Sequence, residues 1–435
     1  MTGKRKRKLA MPDTLIIVAS VVLLVAILSW IIPSGTYDYQ EMNINGRIRN
    51  VAIDGTYHTI DKSEVTTTGF LGFFSVLYRG CVEAADVIFM ILCCCGTFGV
   101  VVKTGAFHAG IGTILKKLKG KEILLVPIIM MIFGLGGSVF GMASEFYGFY
   151  PLIVGLGVAL GYDAMFGFAI IAVGEFVGFM GATLNPYSVG IAQTISGVEL
   201  YSGTGYRAIC FVIFMAISII YVMVYGRKIK KNPGASVVFG EKNIHAFDRD
   251  ELNEYSFTLK DGLVLLDVLV VLVVLMLGLI KWGWDFPQLC GLFLLMSMIA
   301  AAICKWSPNK WCSEFIDSAK TAMWGCILTG IAKAITVVMQ DAQIMDTVIY
   351  GLSNVLKNAP HAVSAQVMLV VQTLINFFIP SATGQASATM PIMAQLADII
   401  GVSRQTAVLA FQFGDGLSNI FWPTADIVII CGLGG

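Results

Sequence analysis

Long apolar runs set the first limit on this chain. Residues 15–32, 209–225, 263–280 and 289–304 are nearly free of charge, and each approaches the length needed to cross about 30 Å of hydrocarbon. Backbone groups inside lipid must satisfy one another, so such runs are helices. Composition agrees: 57% of residues are hydrophobic, only 13% are charged, and the mean hydropathy is +0.79. The fold class is an all-α polytopic membrane protein whose surrounding partner is the lipid bilayer; no nucleic-acid partner is expected. Five basic residues, Lys4 to Lys8, precede the first run, but no small-residue cleavage site follows, so that helix is retained.

Against this background, four ionisable residues stand out. Lys333 sits inside the apolar run 324–339, and Glu145, Glu175 and Asp415 lie in Gly-rich apolar segments. A charge at membrane depth costs several kcal/mol unless it meets a partner or a water-filled cavity, so these groups mark a polar pathway. Cys93, Cys94 and Cys95 are consecutive on a helix, point about 100° apart and cannot share one tetrahedral metal, so they read as small buried residues. His58, His108, His245 and His361 fall near helix ends or in loops without clustering, and no metal site or cofactor is expected.

Lys and Arg accumulate on the cytoplasmic side of membrane proteins. The basic N-terminus, Lys116 to Lys121, Arg227 to Lys231, Lys305 and Lys310 are therefore placed inside. Helix 1 then leads out, 34–83 is an outer loop of turn and strand-like composition, and a helix over 85–102 returns. Residues 107–118 have apolar side chains at helical spacing and fit an amphipathic surface helix.

The apolar run 123–140 ends in Gly134, Gly136, Gly137, Ser138 and Gly141, and a second run begins just after Glu145. A Gly/Ser break without interface charges reads as a re-entrant hairpin, whose tip must be shielded by protein or line a cavity. The next helix, 164–182, breaks at Thr183, Leu184, Asn185, Pro186, Tyr187 and Ser188; proline frees carbonyls, and such unwound centres are ligand sites. The same order recurs after residue 318: a helix over 318–340, an amphipathic stretch 344–356, and a run 367–379 broken over 380–387. A run 389–400 and a helix broken around Gly414 to Pro423 follow. Gly141 to Ser144 resembles Gly384 to Ser387, and Asn185-Pro186 resembles 419–423. By the charge rule the second copy is upside down. Inverted-topology repeats, each with a re-entrant hairpin and a broken transmembrane helix, are the mark of a secondary transporter; two unrelated Gly-rich packing regions are the alternative. The divisions are 1–83 (first helix and outer loop), 84–226 (first repeat), 227–262 (cytoplasmic loop), 263–317 (two connecting helices) and 318–435 (second repeat). The second repeat ends still apolar at Gly435, and a final helix of about 20 residues is expected beyond it.

Three motifs carry a family resemblance: Ile32-Pro33-Ser34-Gly35-Thr36-Tyr37; the 183–188 break with Gly190, Ala192 and Gln193; and Asp415-Gly416-Leu417-Ser418-Asn419 with Pro423-Thr424. Across nearly its whole length the chain resembles the YfcC-type carriers, which are related to ArcD-type arginine/ornithine antiporters and anaerobic C4-dicarboxylate carriers within the ion transporter superfamily. The resemblance implies an elevator-like secondary carrier of the bacterial inner (plasma) membrane, a homodimer, with hairpin tips and unwound helices enclosing a small-molecule substrate. Sodium-coupled members of that superfamily carry Ser-Asn-Thr triplets at their tips. This chain has Ser138, Ser144, Ser381, Thr383 and Ser387 instead, so sodium coupling does not transfer, and proton coupling is equally open.

Charge bears on the substrate. Glu145, Glu175 and Asp415 outweigh Lys333, so a cationic amino acid fits the site better than a dianion. Ser138, Ser144, Thr183, Asn185, Ser188, Ser381, Thr383, Ser387, Asn419 and Thr424, with half-helix N-termini, complete the candidate site, and Lys333 is its charge-coupling residue. Simpler roles stand beside these. Glu175 or Asp415 can form a structural ion pair with Lys333, Asn185 and Asn419 can cap broken helices, and Asp163 and Asp426 read as interface residues. A dicarboxylate carrier and a channel are the alternative functions. An enzyme is disfavoured, since no nucleophile, base and metal occur at recognisable spacing.

Overall fold

The computed structural model describes residues 14–44, 47–118, 122–241, 257–357 and 363–435. Lys4 to Lys8, Lys119, Lys121, His245 and His361 lie outside the described residues. Helix α1 (Thr14–Ile31) leads into two small antiparallel ribbons, β1 (Ser34–Thr36) with β4 (His58–Ile60), and β2 (Tyr39–Ile44) with β3 (Arg47–Ala52). Then come α2 (Phe70–Glu83), α3 (Ala85–Lys103) and α4 (Ala106–Leu118). Helix α5 (Leu125–Leu135) runs into a π-helical turn (Gly136–Phe140), a left-handed Gly141 and a 3-10 segment (Ser144–Phe149) before α6 (Tyr150–Ala159). Helices α7 (Ala164–Gly181), α8 (Val189–Ile195) and α9 (Thr204–Lys231) close this half, and α10 (Leu259–Lys281) and α11 (Phe286–Ile303) link it to the next. The second half comprises α12 (Pro308–Lys320), α13 (Met323–Asp341), α14 (Met345–Lys357), α15 (Ser364–Phe378), α16 (Ala382–Ile399), α17 (Arg404–Ser418) and α18 (Ile427–Gly434).

Among the described residues, α3, α7, α9, α10, α11 and α13 contain stretches long and apolar enough to cross a membrane. Side-chain caps start several helices. Asp163 accepts from Phe166 N–H at 2.7 Å at the head of α7, and Thr258 with Asp261 and Asp285 with Gln288 form capping boxes on α10 and α11.

The two halves share an element order and pack reciprocally. Helix α2 crosses α13, and α12 crosses α3. At the first crossing Gly80 lies against the backbone of Gly330 and Ala334; a Cβ there would collide with the Gly330 carbonyl and stand 2.7 Å from Ala334 N. Only glycine allows the helices to approach this closely, as at membrane crossings generally. Helix α5 packs on α7 as α15 packs on α17, while α17 touches α7 and α16 touches α8, joining the halves. The two ribbons are pinned to the α13–α14 junction: Ser34 Oγ donates to Ala342 O at 2.6 Å, and Asp346 accepts from Tyr37 N–H at 3.0 Å and from the Tyr39 hydroxyl at 2.8 Å.

Three sequence expectations are corrected here. The expected outer loop ends in a helix, α2, whose Phe70, Leu71, Phe74 and Tyr78 are exposed in the isolated chain. The second hairpin is broken only at 379–381, because Ser381 caps α16 and its next residues are helical, so Thr383 and Ser387 sit on a helix. Asp415 lies inside α17, which continues to Ser418; the interruption falls over 419–426.

Candidate functional site

The first hairpin tip is stitched to the first break. Ser138 Oγ accepts from Thr183 N–H at 3.1 Å and lies 3.0 Å from Thr183 Oγ1, while Leu184 N–H donates to Ser138 O at 3.2 Å. Gly141, at φ +69°, lies against Asn185; a Cβ would stand 2.8 Å from Asn185 Cγ, so both conformation and space demand glycine. Asn185 Oδ1 accepts from Tyr187 and Ser188 N–H at 2.9 and 3.2 Å, a turn within the break rather than the helix cap considered for it, since α8 starts at Val189 with Ser188 as its N-cap residue. Its Nδ2, together with Ser188 Oγ, is buried without a partner. Ser144 is half-buried, and Glu145 receives the Ala143 N–H at 3.0 Å.

The freed carbonyls of this break are met by Arg207, a residue sequence reasoning missed. Only 1% exposed, its guanidinium donates to Ala182 O at 2.9 Å, Ser202 O at 2.8 Å, Thr183 O at 3.1 Å and Thr204 Oγ1 at 3.1 Å. All four acceptors are neutral. A fork of fixed donors suits this spread of carbonyls, and the positive group complements the negative end of α7.

The second tip reaches into the first half. Thr383 Oγ1 donates to Tyr187 O at 2.8 Å, whereas Ser387 Oγ is spent on Thr383 O at 2.9 Å within its own helix. Ser381 is exposed at the helix start. Asp415 is fully buried and accepts from Asn376 Nδ2 at 2.7 Å, leaving Oδ2 without a partner. A ladder of amides extends from it: Asn376 to Gln385 Oε1 at 3.2 Å, and Gln385 Nε2 to Gln372 Oε1 at 2.7 Å. Gln372, Asn376 and Gln385 were also missed, though polar residues inside apolar runs were the available signal.

Glu175, also fully buried, accepts from the Tyr150 hydroxyl at 2.7 Å, with Oε1 unpartnered. The expected ion pair is absent: among the described residues neither Glu175 nor Asp415 bonds Lys333, and neutral donors hold both instead. Lys333 is half-buried on α13 and lines a cavity of about 360 Å³ between α13, the second tip and the second break. Ser381 and Thr424 share that cavity with Asp426 and Glu83. Asn419 is 8% exposed beside the same break. Asp426, just before α18, is half-buried and lines this cavity. There it lies within electrostatic reach of Glu175, Asp415 and Tyr147. Asp163 remains a helix-end residue bonded to Tyr225 and Ser236 at 2.6 Å each. No group of three His, Cys, Asp or Glu able to hold a metal occurs among the described residues.

Residues 11–435 match the family described as "C4-dicarboxylate anaerobic carrier". A curated relative from Escherichia coli (strain K12), named "Putative basic amino acid antiporter YfcC", is 33% identical over 458 residues, covering 97% of this chain and 90% of that protein. An uncharacterized protein of Haemophilus influenzae is 28% identical over 469 residues, covering 98% and 92%. The solved structure of Neisseria gonorrhoeae MtrF aligns at 16% identity with a TM-score of 0.44, covering 98% of this chain and 88% of that one.

Proposed function

This chain is a YfcC-type member of the C4-dicarboxylate anaerobic carrier family and hence a multi-pass membrane transporter, and from that premise we propose that it exchanges cationic amino acids across the bacterial inner membrane. The observation that carries the substrate class is the ionisable lining of the 360 Å³ cavity: two acids, Glu83 and Asp426, and one base, Lys333. A dicarboxylate would meet one cation and two anions there, whereas a basic amino acid presents the opposite balance. The volume lies within the range of small-molecule sites. The name borne by the 33% identical relative points the same way. The dicarboxylate reading rests on the family description and finds a single cation, Lys333, in this lining.

In this proposal the two halves are inverted repeats with re-entrant hairpins at α5–α6 and α15–α16. The matched element order and reciprocal α2–α13 and α12–α3 crossings support it. Of the residues expected to bind the solute, Lys333, Ser381 and Thr424 line this cavity; Asn185, Ser188 and Asn419 are not among its lining residues, and their part in the proposal is to hold the two breaks. Alternating access is an elevator-like shift of the hairpins and broken helices within a homodimer, and the N-terminus is cytoplasmic. The division of the chain into two repeats joined by α10 and α11 belongs to the same reading.

Counterflow in proteoliposomes tests the function. Loading with unlabelled arginine should accelerate uptake of labelled arginine or ornithine, and succinate should not. Competition by succinate or fumarate without any effect of arginine, ornithine or lysine would replace this reading with the dicarboxylate one; uptake indifferent to internal substrate would indicate a channel.

A further inference from the structure

Three titratable side chains line the cavity at the second break: Glu83, Lys333 and Asp426. None of them forms an ion pair among the described residues, although Arg79, Lys103, Lys320 and Arg404 all do. Lys333 and Asp426, half-buried beside Val87, Leu328, Ile379 and Ile429, are costly as charges unless something entering the cavity neutralises them, whereas Glu83 stands exposed at its rim. A second observation marks the same place. Thr424 is 6% exposed, and its Oγ1 is buried with no hydrogen-bond partner although it lines the cavity. Two other hydroxyls at this wall are already engaged, Thr329 donating to Gly325 O at 2.8 Å and Ser381 accepting from Gly384 N–H at 3.3 Å, and Thr336 of α13 is the fourth.

We infer that this cavity binds the substrate's amino-acid backbone, with Lys333 and Thr424 holding the α-carboxylate, Asp426 the α-ammonium and Glu83 the side-chain cation. The inference rests on the cationic amino-acid reading and adds to it which group reads which end of the solute. The position of each group supports the assignment. Lys333 projects from mid-helix α13, and Thr424 and Asp426 are two residues apart on the second break, so the backbone is gripped between a span and the break. Glu83 ends α2 at the more exposed rim, where a long flexible side chain reaches water. A decarboxylated analogue keeps both cations and loses the one anion, and therefore loses Lys333 alone among the charged partners.

The test is competition for labelled arginine uptake in proteoliposomes by arginine and by agmatine, its decarboxylated form, for the unaltered chain and for Lys333→Met and Lys333→Arg. Loss of a charge-assisted hydrogen bond corresponds to roughly a ten- to hundred-fold weakening. Unaltered protein should prefer arginine by about that factor. In Lys333→Met the preference should vanish through weakening of arginine with agmatine unchanged, and Lys333→Arg should retain it. Equal competition by arginine and agmatine in the unaltered chain overturns the assignment, as does equal weakening of both in a folded Lys333→Met. Should Lys333→Met not fold, loss of the preference in Lys333→Arg, or equal competition in the unaltered protein, overturns it alone. A chain on which arginine does not compete but succinate does refutes the underlying substrate reading instead, a separate outcome.

Discussion

Removing Arg207 should destabilise the protein more than most single substitutions, because among the described residues its guanidinium is the one charged donor bonded at the first break and it serves four acceptors. A hydrogen bond with one charged partner contributes about 1.5–3 kcal/mol, and a buried carbonyl left without a donor costs about 1–3 kcal/mol. The four contacts do not add, since Thr204 Oγ1 also donates to Thr183 O at 3.1 Å and relieves one of them. Water would enter the vacated polar space and satisfy part of the remainder. The net expectation for Arg207→Ala is a loss of about 3–5 kcal/mol, with uptake abolished because the break can no longer hold Thr183 and Asn185 in place. Arg207→Lys should recover less than half of this, since a single ammonium cannot span carbonyls that belong to both Ala182 and Ser202. Unfolding followed by tryptophan fluorescence in a fixed detergent, with uptake measured in parallel, gives both quantities. Stability of Arg207→Ala within 1 kcal/mol of the unaltered chain, or full rescue by lysine, would show that the carbonyls find other donors and refute the reasoning.

Three further outcomes follow from the same geometry. Gly141→Ala should abolish uptake, since the new methyl would meet Asn185 in a left-handed backbone, whereas Gly55→Ala, at φ +78° with nothing within 4 Å, should cost only about 1–2 kcal/mol and keep transport; equal activity of the two variants would sink this. Replacing sodium by choline should leave uptake unchanged, because the carbonyls of the first break already surround a fixed guanidinium; a ten-fold fall in rate would contradict it. Burial and the neighbouring Asp346 push ionisation of the Tyr39 hydroxyl well above the usual phenol range. A pKa raised on folding gives stability that is full below the ordinary tyrosine range and is lost as pH rises beyond it; Tyr39→Phe should therefore flatten the alkaline arm of a stability profile, and an unchanged slope would dismiss the contact.

The legible part of this chain was the part written in periodicity and in breaks. Spans, the helix α4 and the interruption at 183–188 all follow from runs of apolar residues ended by Gly, Pro and Asn, which act locally. The extent of each break did not follow. Pro380 and Gly384 suggested a long unwound tip, yet Ser381 caps a helix that takes in both Thr383 and Ser387, because a single side-chain acceptor is enough to start it. Helix α2 was hidden for a different reason. Its apolar residues continue directly from a polar loop, and its close contact through Gly80 is with α13, some 250 residues away, which no local pattern records. Glu175 and Asp415 are buried as their positions implied, yet Tyr150 and Asn376 rather than Lys333 hold them, and a partner 25 or 39 residues away on another helix is a fact of packing.

These pairings also change what the two breaks can do. The first is closed: Arg207 fills its carbonyls, Ser138 and Thr183 lock its tip, and Thr383 reaches across to Tyr187. Its residual capacity is two unpartnered groups, Asn185 Nδ2 and Ser188 Oγ. The second break opens on the cavity, with Thr424 unpartnered and with Lys333 and Asp426 outside any ion pair among the described residues. The two breaks are thus unlike, one held rigid by a built-in cation and the other bordered by Lys333 and Asp426, which form no ion pair among the described residues. The rigid break can position a solute through amide and hydroxyl contacts, but only the open one offers it fixed charge to neutralise. In the proposed site fixed charge is thus offered at the second break, with Glu83 of α2 at the rim, and binding there offsets charges that would otherwise oppose carrying this cavity through the low-dielectric middle of the bilayer. An empty carrier should consequently cross more slowly than a loaded one, which is the physical condition for exchange to outrun net transport.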